Sequence, residues 1–373
     1  MKRSALWSLL IVVGVVAAGT VSSGQTAPRG TPYKIGFTAP MTGPLASLTA
    51  EYVPALELAV ADTNLHGGVK GHPLQLVVED SQGTPQGGIA ALRKLAEVDG
   101  VQAAVSIYTN VVTAQIPLAD ELKVPIIGPV EGVGVMSAGQ YSFAHAVTFP
   151  DIAPHFLNYW RKAKAKRIFA FLGNNGYGQS IAPVVRDTAR SAGAEYDEVF
   201  VDLGSTDFRG VVTRAKQFNP DQILLSIQGA GIETSVLRQL RELDVTTQIV
   251  EPGTFYQSKS WREGAGPYAE GMIFGGLFVN PAVSRDFVHA YNARVGSDPV
   301  YGAAEFYDMV KMFAYAIDKG GYKGESIRSA LLSLRDVPSI FGGKIEMQSN
   351  HYTKVTAIGL WQVRGGKLVP VHP

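Results

Sequence analysis

The sequence predicts an α/β protein built from two doubly wound domains, and three observations carry that expectation. Short apolar runs alternate with amphipathic stretches, the alternation restarts midway along the chain, and the length suits two cores better than one. The chain has 373 residues, with 33 Lys plus Arg, 32 Asp plus Glu and no cysteine. Near-neutral charge without basic runs argues against a nucleic-acid partner. The missing cysteines remove disulfides, thiolate metal sites and a cysteine nucleophile together, leaving stability to packing.

Residues 1–24 read as a cleaved signal peptide. Lys2 and Arg3 form a basic start, Leu6 to Val16 an apolar stretch, and Ala17, Ala18 and Gly19 a small-residue cleavage region. The apolar stretch is short for a spanning helix. No cysteine at the junction could take a lipid, so the mature chain of about 345 residues is expected to be free outside the cytoplasm.

From Tyr33, YKIGFTA reads as a strand and EYVPALELAVADTN as a helix whose Val53, Leu56 and Val60 share a face. LQLVVED, PQGGIAALRKLAEVDG, VQAAVSI, VVTAQIPLADELK and VPIIGP continue the alternation, as parallel βαβ units would. The rhythm restarts after Phe143. HFLNYWRKAKA leads into RIFAFLG, SIAPVVRDTARSA into EYDEVFVD, FRGVVTRAKQF into QILLSI, and SVLRQLRELDV into QIVEPG. The boundary near Thr148–Asp151 is short, like a hinge. MIFGGLF and three helical stretches follow, too little for a third domain, so the chain is expected to cross between domains more than once. Its last segment, with strand-like runs split by Gly-Gly and Ser-Asn turns, reads as a returning edge element.

Enzyme chemistry finds little support. There is no G-x-S-x-G elbow, and the seven histidines show no metal-binding spacing, most reading as surface or loop residues. GNNGYG at 173–178 has the wrong glycine order for a dinucleotide fingerprint. The loop APMTGPLASL at 39–48 carries one glycine, too few for a phosphate cradle. Polar, glycine or aromatic residues do recur just after the strands: Tyr108-Thr109-Asn110, Val130-Glu131-Gly132, Asn174, Asn175 and Tyr177, Gln228, and Thr254-Phe255-Tyr256. Each group alone reads as a cap or turn. Five such loops, drawn from both halves, would line one interdomain cleft.

Those residues sit in a chain that resembles the type I periplasmic solute-binding proteins, in the Leu/Ile/Val-binding branch that serves ABC importers. The resemblance rests on a G-x-x-x-P-x-[ST]-G loop at Gly36 to Gly43, an N-x-x-G-G-[IV]-x-G turn at Asn64 to Gly71, Asp80-Ser81 ending the second strand, and the ordered runs VPIIGP, RIFAFLGNNGYGQS and DFRGVVTRAKQFNPD. It implies two Rossmann-like domains joined by a three-segment hinge, one lobe of 31–149 plus 275–350 and another of 150–274 plus 351–373. It also implies a monomeric, non-enzymatic periplasmic protein without cofactor, which holds a small molecule between its lobes and meets permease subunits at the inner membrane. A ligand-sensing subunit for a membrane receptor is the alternative with the same cleft.

By this resemblance, Thr109 and Asn110 and the loop of Val130 and Gly132 would hold a ligand carboxylate, Tyr177 would contribute an aromatic ring, and Leu48 would line the first wall. The acid expected to take an α-ammonium falls on Gly253 or Thr254, with Glu251 one or two places early, and the usual aromatic near Gln228 is missing. An unpaired ammonium is costly to bury. Leu48, Tyr108, Phe149, Tyr177, Phe255 and Tyr301 would instead form an apolar, aromatic cleft for a hydrophobic or aromatic carboxylate or a related amide.

Overall fold

A computed structural model describes residues 27–371 except 43–45, 133, 228, 254, 255, 257 and 258. The proposed signal peptide lies outside the described residues. The first lobe opens with β1 (Tyr33–Ala39), α1 (Ala46–Leu65), β2 (Leu74–Asp80), α2 (Pro85–Glu97), β3 (Ala104–Ser106), α3 (Thr109–Leu122), β4 (Ile126–Gly128) and β5 (Ser142–Ala144). The second contains α4 (Phe149–Lys162), β6 (Arg167–Gly173), α5 (Gly176–Ser191), β7 (Glu195–Val201), α6 (Arg209–Phe218), β8 (Gln222–Ser226), α7 (Ala230–Glu242), β9 (Gln248–Glu251), α8 (Lys259–Ala265) and β10 (Ile273–Gly276). The chain then returns to the first lobe for α9 (Arg285–Val295), α10 (Tyr301–Gly320), α11 (Gly324–Leu332), β11 (Val337–Pro338), β12 (Lys344–Met347) and β13 (Thr353–Val355). It ends in the second lobe with β14 (Gly359–Arg364) and β15 (Lys367–Pro370).

Both main sheets have one topology. The first runs β2-β1-β3-β4-β5 and is parallel throughout. In the second, β7-β6-β8-β9-β10 repeats that order in parallel, and the antiparallel strands β14 and β15 extend its edge. Helices cover the faces, so central strands are apolar on both sides: Ile35, Phe37 and Ala39 of β1 and Phe169, Phe171 and Leu172 of β6 are fully buried.

In the first lobe α10 carries much of the core. Phe306, Met309, Val310, Phe313 and Ile317 recur at helical spacing and are buried. Phe306 reaches Phe37 at 5.4 Å and stacks on Tyr52 of α1 at 4.9 Å, so helices from distant parts of the sequence close over β1. In the second lobe Gly275 lets α4 lie close on β10. A Cβ there would stand 2.6 Å from Ile152 and 2.8 Å from Phe156.

Three connections link the lobes: 145–148, 277–284 and 356–358. The latter two lie beyond the divisions at 274/275 and 350/351 drawn from the sequence. Gly275 and Gly276, which look like a turn, pair with Leu360 and Gly359 inside the sheet, and β13 pairs with β12 before the chain leaves. At the first connection the Thr148 N–H and hydroxyl both donate to Asp151 Oδ2, at 3.0 and 2.6 Å, fixing the start of α4. Asp151→Ala is therefore expected to cost about 1 kcal/mol in thermal unfolding. A change under ~0.2 kcal/mol would show that this cap carries no stability.

Candidate functional site

In a sheet of this order the chain leaves β1 and β3 in opposite directions, opening a crevice at the strands' carboxyl ends. Both lobes have such a crevice, and the two face each other. On the first wall, the loop after β1 is tied down by Asp80, which accepts from Met41 N–H at 2.9 Å and the Thr42 hydroxyl at 2.6 Å. Tyr108 follows β3 with φ 69°, a strained backbone for a bulky residue, and its buried hydroxyl has no partner. Glu131 stands in the loop after β4, half-buried. Helix α10 brings Tyr301 and Glu305 to the same wall, one turn apart, with the tyrosine hydroxyl donating to the carboxylate. The backbone of Val147, in the first connection, lies beside that hydroxyl.

On the second wall, Tyr177 lies at the start of α5, beside Ser226 at the end of β8. Glu233, in the first turn of α7, accepts from Trp261 Nε1 at 3.0 Å and Ile227 N–H at 3.3 Å. Glu251 ends β9 with only 2% of its surface exposed. Its Oε2 has no hydrogen-bond partner.

The electrostatics show that the walls meet. Burial pushes the Glu251 carboxyl well above the usual range, and the carboxylates of Glu233, on its own wall, and Glu131, across the cleft, push it further. Burial likewise raises Tyr177, and Glu131 adds to that shift. Glu305 is raised first by burial, against the Tyr301 hydrogen bond, and further by Glu131 and Asp308. No lysine, arginine or histidine among the described residues acts on Glu233, Glu251 or Glu305.

The residues singled out from the sequence divide between cleft and core. Tyr108, Tyr177 and Tyr301 come to the facing walls. Val130 and Phe149 are buried, Val130 beside Leu92 and Ile126, Phe149 beside Phe156 and Trp160, so their side chains pack in the lobes' cores. Thr109 and Asn110 are exposed at the start of α3. The Gly132 carbonyl accepts from the Tyr352 hydroxyl. Gln228, Thr254 and Phe255 lie outside the described residues, as does the side chain of Leu48. Of the histidines, His145 is 1% exposed, buried beside Thr353 and Asp308 and not on the surface. Glu233 and Glu305 escape a sequence reading. Their one signal is an acid set among apolar residues, as in GAAEFYDMV.

Two lobes of parallel sheet, crossed three times by the chain, face each other at their strand ends, where folds of this class hold ligands. The chain matches the sequence pattern of the periplasmic binding protein family over residues 32–367. A Leu/Ile/Val-binding protein of Citrobacter freundii is 28% identical over 64% of this chain and 66% of its own length. The Leu/Ile/Val-binding protein homolog 8 of Brucella abortus is 26% identical over 97% of this chain and 94% of its own. Among solved structures, the branched-chain amino acid transporter substrate-binding protein of Streptococcus pneumoniae in complex with isoleucine superposes with TM-score 0.77 at 25% identity, covering 91% of this chain and 98% of that one. An ABC-transporter solute-binding protein of Rhodopseudomonas palustris, in complex with 3,4-dihydroxy benzoic acid, gives 0.76 at 22% identity, covering 91% and 96%. The chain belongs to the periplasmic binding protein family and is a solute-binding protein of the ABC-transporter kind.

Proposed function

We propose that this protein carries a small organic solute, bound unchanged between its lobes, to the permease subunits of an importer in the inner membrane. The observation that supports this most is the convergence of strand-end loops from both sheets on one cleft, with tyrosines on each wall to receive an apolar or aromatic body. The protein works as a monomer in the periplasm after losing residues 1–24, with no nucleic-acid partner and no catalytic step. N-terminal sequencing of the exported protein checks the processing, and a start at Met1 would contradict it.

Each lobe has its own core, and only short connections join them, so a ligand touching both walls adds contacts that exist only in the closed form. Binding is expected to compact the molecule. Small-angle scattering with and without a bound solute reads this as a smaller radius of gyration. An unchanged radius at saturation, in a protein open beforehand, would rule out closure; conversion of the solute in proportion to protein would rule out simple carriage.

A further inference from the structure

The seven residues RKAKAKR at 161–167 close α4 and open β6, and five of them are cations. Alanines separate the charges, and Ala165 turns into the core, so the stretch reads as a helix end and not as a continuous basic run. In the fold its cations come out together. Arg161, Lys162, Lys164 and Lys166 are exposed, and Arg161 donates to the Ser191 carbonyl at 2.9 Å, which brings the end of α5 and its exposed Arg190 alongside. Among the described residues Arg167 is the one member of this group in an ion pair, with Glu195 at 2.8 Å. Asp221 accepts the backbone N–H groups of Lys166 and Arg167, at 2.7 and 3.3 Å. Asp187 stands on α5 one turn before Arg190. Six cations against three carboxylates leave this face at +3, on a chain that is close to neutral.

Cations at helix carboxyl ends are ordinary, because they complement the helix dipole. That accounts for Arg161 and Arg190. Lys164 and Lys166 lie past the end of α4, and their ammonium groups meet no carbonyl or carboxylate among the described residues. Like charges gathered without partners repel, and an anionic surface brought against them relieves the repulsion. The kind of surface follows from the side chains. Lysine is depleted from protein–protein interfaces, which favour aromatic residues and methionine. None of the large apolar side chains exposed on the described residues belongs to this face. Lysines and arginines without an apolar anchor suit the headgroups of anionic phospholipid, which attract each such cation in turn.

We propose that the face at the ends of α4 and α5 docks on a membrane of anionic phospholipid. The inference goes beyond the carrier reading and holds whichever solute the cleft takes. The face lies at the amino end of β6 and the cleft at its carboxyl end, 7 residues on. At ~3.3 Å per residue the two are about 20 Å apart. A docked molecule therefore keeps its cleft off the lipid and free to load, beside the membrane where a permease would take the solute.

Co-sedimentation with vesicles tests this, using the protein without residues 1–24. Vesicles of phosphatidylcholine alone are compared with vesicles containing about one-third phosphatidylglycerol, at about 0.05 M and about 0.5 M salt. The expected result is partition to the anionic vesicles only, lost at the higher salt. The triple variant Lys162→Gln, Lys164→Gln, Lys166→Gln removes exposed charges that make no ion pair among the described residues. It is expected to melt with the parent and to partition more weakly by about tenfold or more. A matched variant, Lys70→Gln, Lys323→Gln, Lys354→Gln, takes the same charge from exposed positions on the first lobe. It is expected to partition within about twofold of the parent. No capture of the parent by anionic vesicles at low salt, equal capture by neutral ones, or equal loss in the two triple variants would overturn the inference and leave the carrier reading intact. Binding to polyglutamate without capture by vesicles would overturn it in favour of an acidic protein partner.

Discussion

Replacing Asp308 with alanine is expected to lower stability by about 2–4 kcal/mol, because the buried Ser339 hydroxyl and the part-buried Ile340 N–H would lose their acceptor, at about 1–3 kcal/mol for a buried donor and less for the second. Asp308 is fully buried on α10. It accepts from the Ser339 hydroxyl at 2.6 Å and the Ile340 N–H at 2.8 Å, and His145 Nε2 lies 3.6 Å away. The other ring nitrogen of His145 is 2.8 Å from the Thr353 hydroxyl. This cluster joins α10, the first connection and β13, so its loss should be felt where the chain crosses between lobes. Asp308→Asn keeps one acceptor and is expected to cost less than half as much. Urea unfolding of both variants tests this, and an alanine variant within ~0.5 kcal/mol of the parent would show that water replaces the lost acceptor.

The second large effect concerns pH. The empty protein is expected to lose stability as pH rises from 5 toward 8. The Glu251 and Glu305 carboxyls titrate in the folded state above the 4.5 of an ordinary glutamate, burial being the main cause for both. Between these values the folded chain holds a proton that the unfolded chain has released. The stabilisation is therefore complete below the unfolded value and is lost as pH climbs through the folded one. Each unit of separation is about 1.4 kcal/mol, and at this size each kcal/mol moves the melting temperature by about 2–4 °C. Glu251→Gln is expected to flatten part of the slope. Calorimetric scans across this range decide it: a melting temperature that holds level or rises with pH in the empty protein would contradict buried, proton-holding carboxyls.

Much of the architecture was legible because parallel sheets buried on both faces leave continuous apolar runs such as RIFAFLG and QILLS, separated by helices of regular period. The site was legible only by position. Strand ends could be located, and with them Tyr108 and Tyr177, whereas Tyr301, at the start of α10, was named only as an aromatic of the cleft that the resemblance implies. An apolar residue after a strand looks the same whether it faces a cleft or a core, so Val130 and Phe149 could not be told from wall residues until their neighbours were known. Glu251 was visible, but its direction depends on the bare Gly253 two residues on. Glu305 belongs to the site only because α10, nearly two hundred residues after Tyr108, packs over β1. No local pattern encodes that crossing.

The hydroxyl of Tyr301 touches Glu305 on one side and the backbone of Val147 on the other. Val147 lies in the first of the three connections between the lobes. Loss of the proton from Glu305 would therefore be felt, through Tyr301, at the connection between the lobes. Such a joint would not be equally stiff with and without that proton: its torsional freedom would be set by a hydrogen atom on a neighbouring helix.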